Sequence, residues 1–117
     1  MSFEVLSRVA LVDDDDAFRL ALAERLELDG LTVTSFSSAE AALRSVNDRF
    51  GGVVVTDLRM PGMDGRQLVE RLIALDPDLP VVMMTGHGDI AEAVDAMKRG
   101  AYDFLAKPFA PERLIET

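Results

Sequence analysis

The chain contains no cysteine and one histidine, His87. The first absence excludes disulfides and any thiolate metal site; the second leaves no imidazole cluster to hold a metal. Long apolar runs are missing too. The best stretches, such as residues 80–84, fall far short of the ~20 residues that a membrane-spanning helix needs. The opening MSFEVLSR has neither the charged start nor the apolar stretch of a secretory leader. Positive charge is scarce: 12 Lys and Arg stand against 21 Asp and Glu, a formal net charge of −9. A nucleic-acid grip needs a basic surface, so direct binding to DNA or RNA is not expected, nor is membrane binding. The acidic balance suits a cation-binding or protein-binding domain, although it is also common on soluble proteins. A cytoplasmic location is the default expectation.

What is present is enough for one globular core: 117 residues, 49% of them hydrophobic. Apolar runs alternate with helical patterns. Residues 9–12, 32–36, 53–56, 81–84 and, more briefly, 103–106 read as strands. Between them, Phe18, Leu22 and Leu26 mark one helix face, with Gly30 at its end. Ser37 and Glu40 have capping-box spacing before a helix through Leu43 and Val46. Residues 65–75 form a third helix, stopped at Asp76-Pro77. A fourth starts near Asp89 with Ile90, Val94 and Met97 inward and ends at Gly100. Pro111 suits the first turn of a last helix. The chain stops at Thr117, so that helix reads as truncated and residues 1–117 as one domain of a longer protein. Strands alternating with helices predict an α/β fold, a parallel sheet with helices on both faces.

All carboxyl ends of a parallel sheet share one edge, where ligands of open α/β sheets bind. The first polar residues after the strands are therefore the candidates: Asp13 and Asp14 from LVDDDDAFRL, Asp57, Thr85 and Lys107. Like charges ~4 Å apart cost about 4 kcal/mol per pair at an effective dielectric near 20. Mg²⁺, a hard cation that takes oxygen ligands, would offset that repulsion. One carboxylate could then act as a nucleophile toward a phosphoryl group, and Asp57, alone after a central strand, is the best placed. Thr85 and Lys107 would contact the phosphoryl oxygens. Each residue alone is an ordinary turn or surface residue; their combination at separate strand ends carries the argument. Asp15 and Asp16 belong instead to the start of the following helix, whose dipole favours acids.

Together, LVDDDD, TDLRMPGMDG, VVMMTGHGD and AYDFLAKPF resemble the receiver domain of two-component response regulators across essentially the whole chain. The pattern looks most like receivers of the nitrogen-regulator class of sigma-54-dependent activators, especially those regulating C4-dicarboxylate transport. The resemblance implies a doubly wound, flavodoxin-like (CheY-like) sheet of order 2-1-3-4-5. It implies phosphoryl transfer from a sensor histidine kinase to Asp57. It implies Mg²⁺ held by Asp13, Asp14, Asp57 and the backbone carbonyl of Arg59, with Asp14 a direct ligand and Asp13 acting more through water. Thr85 and Phe104 are implied as switch residues, and the Lys107–Pro108 bond as cis. Arg59 and His87 would flank the path of the hydrolytic water and lengthen the phosphoryl lifetime. Gly65 would supply a tight turn through positive φ, and Tyr102 reads as structural. Phosphorylation would alter the surface of residues 90–102 and favour a homodimer. The expected output is an AAA+ ATPase and a helix-turn-helix beyond this segment. Such a receiver is not an enzyme in the turnover sense; it catalyses only its own phosphorylation and dephosphorylation.

Three other readings compete. A Mg²⁺-dependent phosphohydrolase with an aspartyl phosphate would place a second acid two residues after the nucleophile, where this chain has Arg59. A receiver-like binding module that is never phosphorylated would not need the full site. A flavin or nucleotide domain would want Gly, Ser and Thr after the first strand, not four aspartates.

Overall fold

Strands flanked by helices on both faces have no side that can be polar, and three runs of this chain meet that condition. A computed structural model describes residues 8–46, 50–86 and 90–106. Its elements are β1 (Arg8–Val12), α1 (Asp16–Leu28), β2 (Thr32–Phe36), α2 (Ala39–Ser45), β3 (Val53–Asp57), α3 (Gly65–Leu75), β4 (Val81–Thr85), α4 (Ile90–Lys98) and β5 (Asp103–Ala106). All strand pairs are parallel, in one sheet of order β2-β1-β3-β4-β5. The doubly wound order implied by the resemblance is the observed one. β1, β3 and β4 are almost wholly buried, while β2, at the edge, has only exposed and half-buried residues.

Successive residues of a strand point to opposite faces, and here they feed two separate cores. Ala10, Val12, Val54, Val81 and Met83 pack with residues of α2, α3 and α4, including Leu68, Leu72 and Ala96. Val9, Leu11, Val55, Val82 and Met84 pack on the other face against Leu22, Ala23 and Leu26 of α1. Leu11, Leu26, Leu68 and Leu72 are fully buried, each contributing roughly 1.5–3 kcal/mol of apolar transfer.

Three local expectations are corrected. α2 begins one residue later than the Ser37–Glu40 spacing implies: Ser38 is the N-cap, its side chain accepting the Ala41 N–H. Glu40 is thereby freed from the predicted box. In α4, Val94 is 42% exposed rather than inward, and the buried contact comes from Ala96, with Met97 half-buried beside it. A small residue lets the helix axis approach the sheet, which turns the four-residue apolar series off the core. Gly65 does not have positive φ; the positive value in its loop belongs to Gly62, at 75°. The Tyr102 side chain, expected to be structural, is 56% exposed; the bond from this residue to the sheet is its backbone N–H, donated to Val81 O at 2.8 Å. Asp89 and the helix expected from Pro111 lie outside the described residues.

Candidate functional site

Strand register builds the site before any side chain is considered. Val12 lies beside Thr56, and Asp57 beside Met84. Asp13, the next residue after Val12, is therefore level with Asp57 on the neighbouring strand, at a spacing of about 4.8 Å. Asp13 N–H donates to Phe36 O at 3.1 Å, extending the ladder one step beyond β1. Thr85 follows Met84 and pairs with Ala106. The parallel ladder thus delivers polar residues to one edge because every apolar run ends at the same level.

The carboxylates of Asp13, Asp14 and Asp57 converge there, one oxygen from each lying within 4.8 Å of the others. Asp13 is fully buried, Asp57 is 9% exposed and Asp14 is exposed. Asp13 Oδ1 accepts the Asp15 N–H at 3.0 Å, and Asp57 Oδ1 accepts the Leu58 N–H at 3.0 Å. The Thr56 hydroxyl donates to the Asp57 carbonyl, also at 3.0 Å. These bonds orient the two buried carboxylates by their own backbones. Two buried acids beside a third repel strongly where water cannot screen them. The donor set is all oxygen and all anionic, which fits a hard divalent cation such as Mg²⁺.

The four consecutive aspartates divide as their positions require. Asp15 is the N-cap of α1, its carboxylate accepting the Phe18 N–H at 3.1 Å. Asp16, in the first turn, pairs with Arg19 at 2.8 Å. Arg19 also donates to the Asp13 carbonyl at 2.8 Å, and its Nε has no partner among the described residues. This largely buried guanidinium brings positive charge to the rim of the acidic cluster. Its three-residue spacing from Asp16 is the one mark of this role in the sequence.

Thr85 is fully buried, and its Oγ1 has no hydrogen-bond partner among the described residues. Phe104 is half-buried against the core that contains Ala96 and Met83. Arg59, two residues after Asp57, reaches Glu92 of α4 with an Nη2–Oε1 distance of 2.7 Å. Lys107, Pro108 and His87 lie outside the described residues, so the structure does not place these three expected site residues.

The loop after β3 is built by backbone fits. Gly65 N–H donates to Leu58 O at 2.9 Å, and a Cβ on Gly65 would stand 2.4 Å from Asp57 O. Only glycine lets α3 start this close to the strand end. Asp64 caps α3 in a reciprocal box with Gln67. Glu40 reaches this loop from α2: its Oε2 accepts the Met63 N–H at 3.0 Å. That bond, followed by one from its own backbone and aided by Arg44, holds the Glu40 carboxyl below the ordinary carboxylate range against the opposing effect of burial.

Residues 9–117 match the family described as response regulator receiver domain. The chain belongs to that family. Receiver domains serve two-component signalling by phosphoryl transfer, bind Mg²⁺ at an acidic pocket and work with histidine kinases and attached output domains. This receiver is 54% identical over 109 residues to the C4-dicarboxylate transport transcriptional regulatory protein DctD of Rhizobium meliloti, covering 93% of this chain and 24% of that protein. It is 46% identical to the transcriptional regulatory protein FixJ of Bradyrhizobium diazoefficiens, covering 91% of this chain and 52% of that one. It therefore spans about a quarter to a half of the length of these relatives. Among solved structures, the receiver domain of NtrX from Brucella abortus superposes with a TM-score of 0.86 at 40% identity, covering 92% of each chain. A receiver domain protein from Clostridium thermocellum gives 0.90 at 33% identity, covering 95% of this chain and 90% of that one. No helix among the described residues is long and apolar enough to cross a membrane.

Proposed function

We propose that this receiver takes a phosphoryl group on Asp57 from a phosphohistidine of a sensor histidine kinase and uses it to change the surface around α4 and β5. The observation that carries the reading is the convergence of Asp13, Asp14 and Asp57 at the carboxyl edge of the sheet, with a buried Thr85 hydroxyl on the adjoining strand that has no partner among the described residues. A carboxylate oxygen of Asp57 attacks phosphorus, an acyl phosphate bond forms, and the phosphorus–nitrogen bond breaks as imidazole leaves. Leu58 N–H orients the nucleophile. Asp13, Asp14, Asp57 and the Arg59 carbonyl are the groups that would hold Mg²⁺. When bound, Mg²⁺ would neutralise charge on the carboxylates and the transferring phosphoryl oxygens.

Thr85 would donate its hydroxyl to the new phosphoryl oxygens, with Lys107 as the cation beside them. Moving Thr85 toward Asp57 opens space that Phe104 can fill from its half-buried position. The packing of α4 and β5 then shifts between two populations, and that surface contacts a second copy or an attached output domain. The resident chemistry is self-phosphorylation and its reversal by water, not turnover of a separate substrate.

Similarity to DctD supports a transcriptional output of the C4-dicarboxylate transport type, of the sigma-54-dependent class. A longer chain of NtrX from Brucella abortus, 39% identical with a TM-score of 0.88 and covered to 26% by this chain, was solved in complex with ADP. That likeness supports an attached nucleotide-binding domain, which we read as an ATPase; a helix-turn-helix as the DNA-binding part and a cytoplasmic setting complete the proposal. The test of the central reading is labelling by a small phosphodonor in Mg²⁺. Asp57→Asn is expected to lose the stable label; full labelling of that variant without a substitute site contradicts the assignment.

A further inference from the structure

The loop of residues 58–64 carries both the Leu58 N–H that orients Asp57 and the Arg59 carbonyl assigned to the metal. Its two ends are fixed by the sheet and by α3. The Leu58 N–H continues the ladder to Met84 O at 3.0 Å, and Gly65 is seated on Asp57 and Leu58. Its crest, residues 60–63, belongs to neither element. There a side chain from α2 meets it. Glu40 Oε2 accepts the Met63 N–H at 3.0 Å. A Cβ on the preceding Gly62 would stand 2.8 Å from the same oxygen. The carboxylate is thus lodged against the backbone of two consecutive residues, and Gly62 is the residue type that admits it. Glu40 is itself well placed to act as a strap. Ser38 caps its helix, and Ala39 and Ala42 on either side are fully buried in the core that α2 shares with α3.

We propose that Glu40 is a positioning residue for phosphoryl transfer: it fixes the crest of the loop and, through it, the Arg59 carbonyl relative to Asp57. This rests on the receiver reading above. Glu40 is too remote in the chain from Asp57 to belong to a contiguous site motif, and it touches the loop through backbone. Its replacement should therefore act on metal affinity, not on the identity of the acceptor. Conservative replacement by glutamine keeps an acceptor oxygen for Met63 N–H, whereas alanine removes it.

The experiment compares the wild-type chain with Glu40→Ala, Glu40→Gln and Glu40→Asp. It uses three readouts: exchange of the Met63 amide hydrogen, Mg²⁺ affinity from an NMR titration, and labelling rate by a small acyl phosphate as a function of Mg²⁺. In Glu40→Ala the Met63 amide should exchange faster, Mg²⁺ should bind about tenfold more weakly, and excess Mg²⁺ should restore labelling, while Glu40→Gln stays within about twofold of wild type. If Glu40→Ala does not fold, Glu40→Asp, one methylene too short for the bond, carries the comparison. Unchanged Mg²⁺ affinity with a freely exchanging Met63 amide overturns the proposal, as does equal weakening in the alanine and glutamine variants. A wild-type chain that neither binds Mg²⁺ nor labels on Asp57 overturns the receiver reading itself, so the two failures are distinguishable.

Discussion

Thr85 keeps a buried hydroxyl without a partner among the described residues, a cost of about 1–3 kcal/mol for a group cut off from water. A phosphoryl oxygen is the kind of acceptor that would satisfy it, so the cost belongs to the unphosphorylated state. Thr85→Val preserves shape and removes the hydroxyl. It should leave the unphosphorylated chain as stable as wild type, or more stable by up to about 1 kcal/mol, in urea unfolding. A loss beyond about 1 kcal/mol would mean that the hydroxyl already has a partner in the resting state. Arg59 presents a different case. Its pair with Glu92 is mostly exposed and is worth only about 0.2–1 kcal/mol to stability, yet it ties to α4 the bulky guanidinium of a residue two positions after the acceptor. Replacing Arg59 and His87 by small polar residues should shorten the lifetime of the phosphorylated chain, measured as acyl phosphate decay. An unchanged decay rate would show that neither side chain governs access of water. Asp13, Asp14, Asp57 and Thr85 were legible because each stands within two residues of the end of an apolar run. Glu40 was not, since its partner Met63 is 23 residues away and nothing local marks the bond.

Elements were read well wherever burial on both faces forced a run to be apolar throughout. β1, β3 and β4 stand within a residue of expectation, and even β5, with four residues, forms where its short pattern suggested. Helix faces were harder. The series Ile90, Val94, Met97 looked like a core stripe, but Ala96 and Ala101 fill the tight space against the sheet and Val94 turns outward. Apolar size misleads where packing selects small residues. Caps were legible only to within one position, as Ser38 in place of Ser37 shows. The junction of β3 and α3 has the least tolerance, since a Cβ at Gly65 would meet the Asp57 carbonyl, Leu58 Cα and the Met83 sulfur, all within 2.9 Å. Two of those three are backbone atoms, which cannot rotate away. Gly65→Ala should therefore cost about 1–3 kcal/mol in chemical denaturation. A change below about 0.5 kcal/mol would indicate that the junction is looser than described.

The sheet order 2-1-3-4-5 puts the switch in winding direction between β1 and β3, the place where open α/β sheets bind ligands. Asp13 and Asp57 stand on the two sides of that crevice. The acids sit in a molecule of net charge −9, so the field of the whole chain adds to their mutual repulsion and draws cations to the edge. A cation bound by the native site and not by the unfolded chain stabilises the fold by mass action. Mg²⁺ at a hundred times its dissociation constant should add about 2.7 kcal/mol. For a domain of this size that raises Tm by roughly 10 °C or more. Chelation should reverse the rise. An equal rise from sodium chloride at matched ionic strength would assign the effect to general screening and not to a site.

The most direct measurement concerns the acceptor itself. The chain is incubated with a small acyl phosphate and Mg²⁺, the acyl phosphate is trapped by borohydride reduction, and the modified residue is located by peptide mass spectrometry. The account predicts conversion of Asp57 to homoserine, dependent on Mg²⁺, with Asp13 and Asp14 unmodified. A label that maps to any other residue in the wild-type chain, or no label at all, would contradict it.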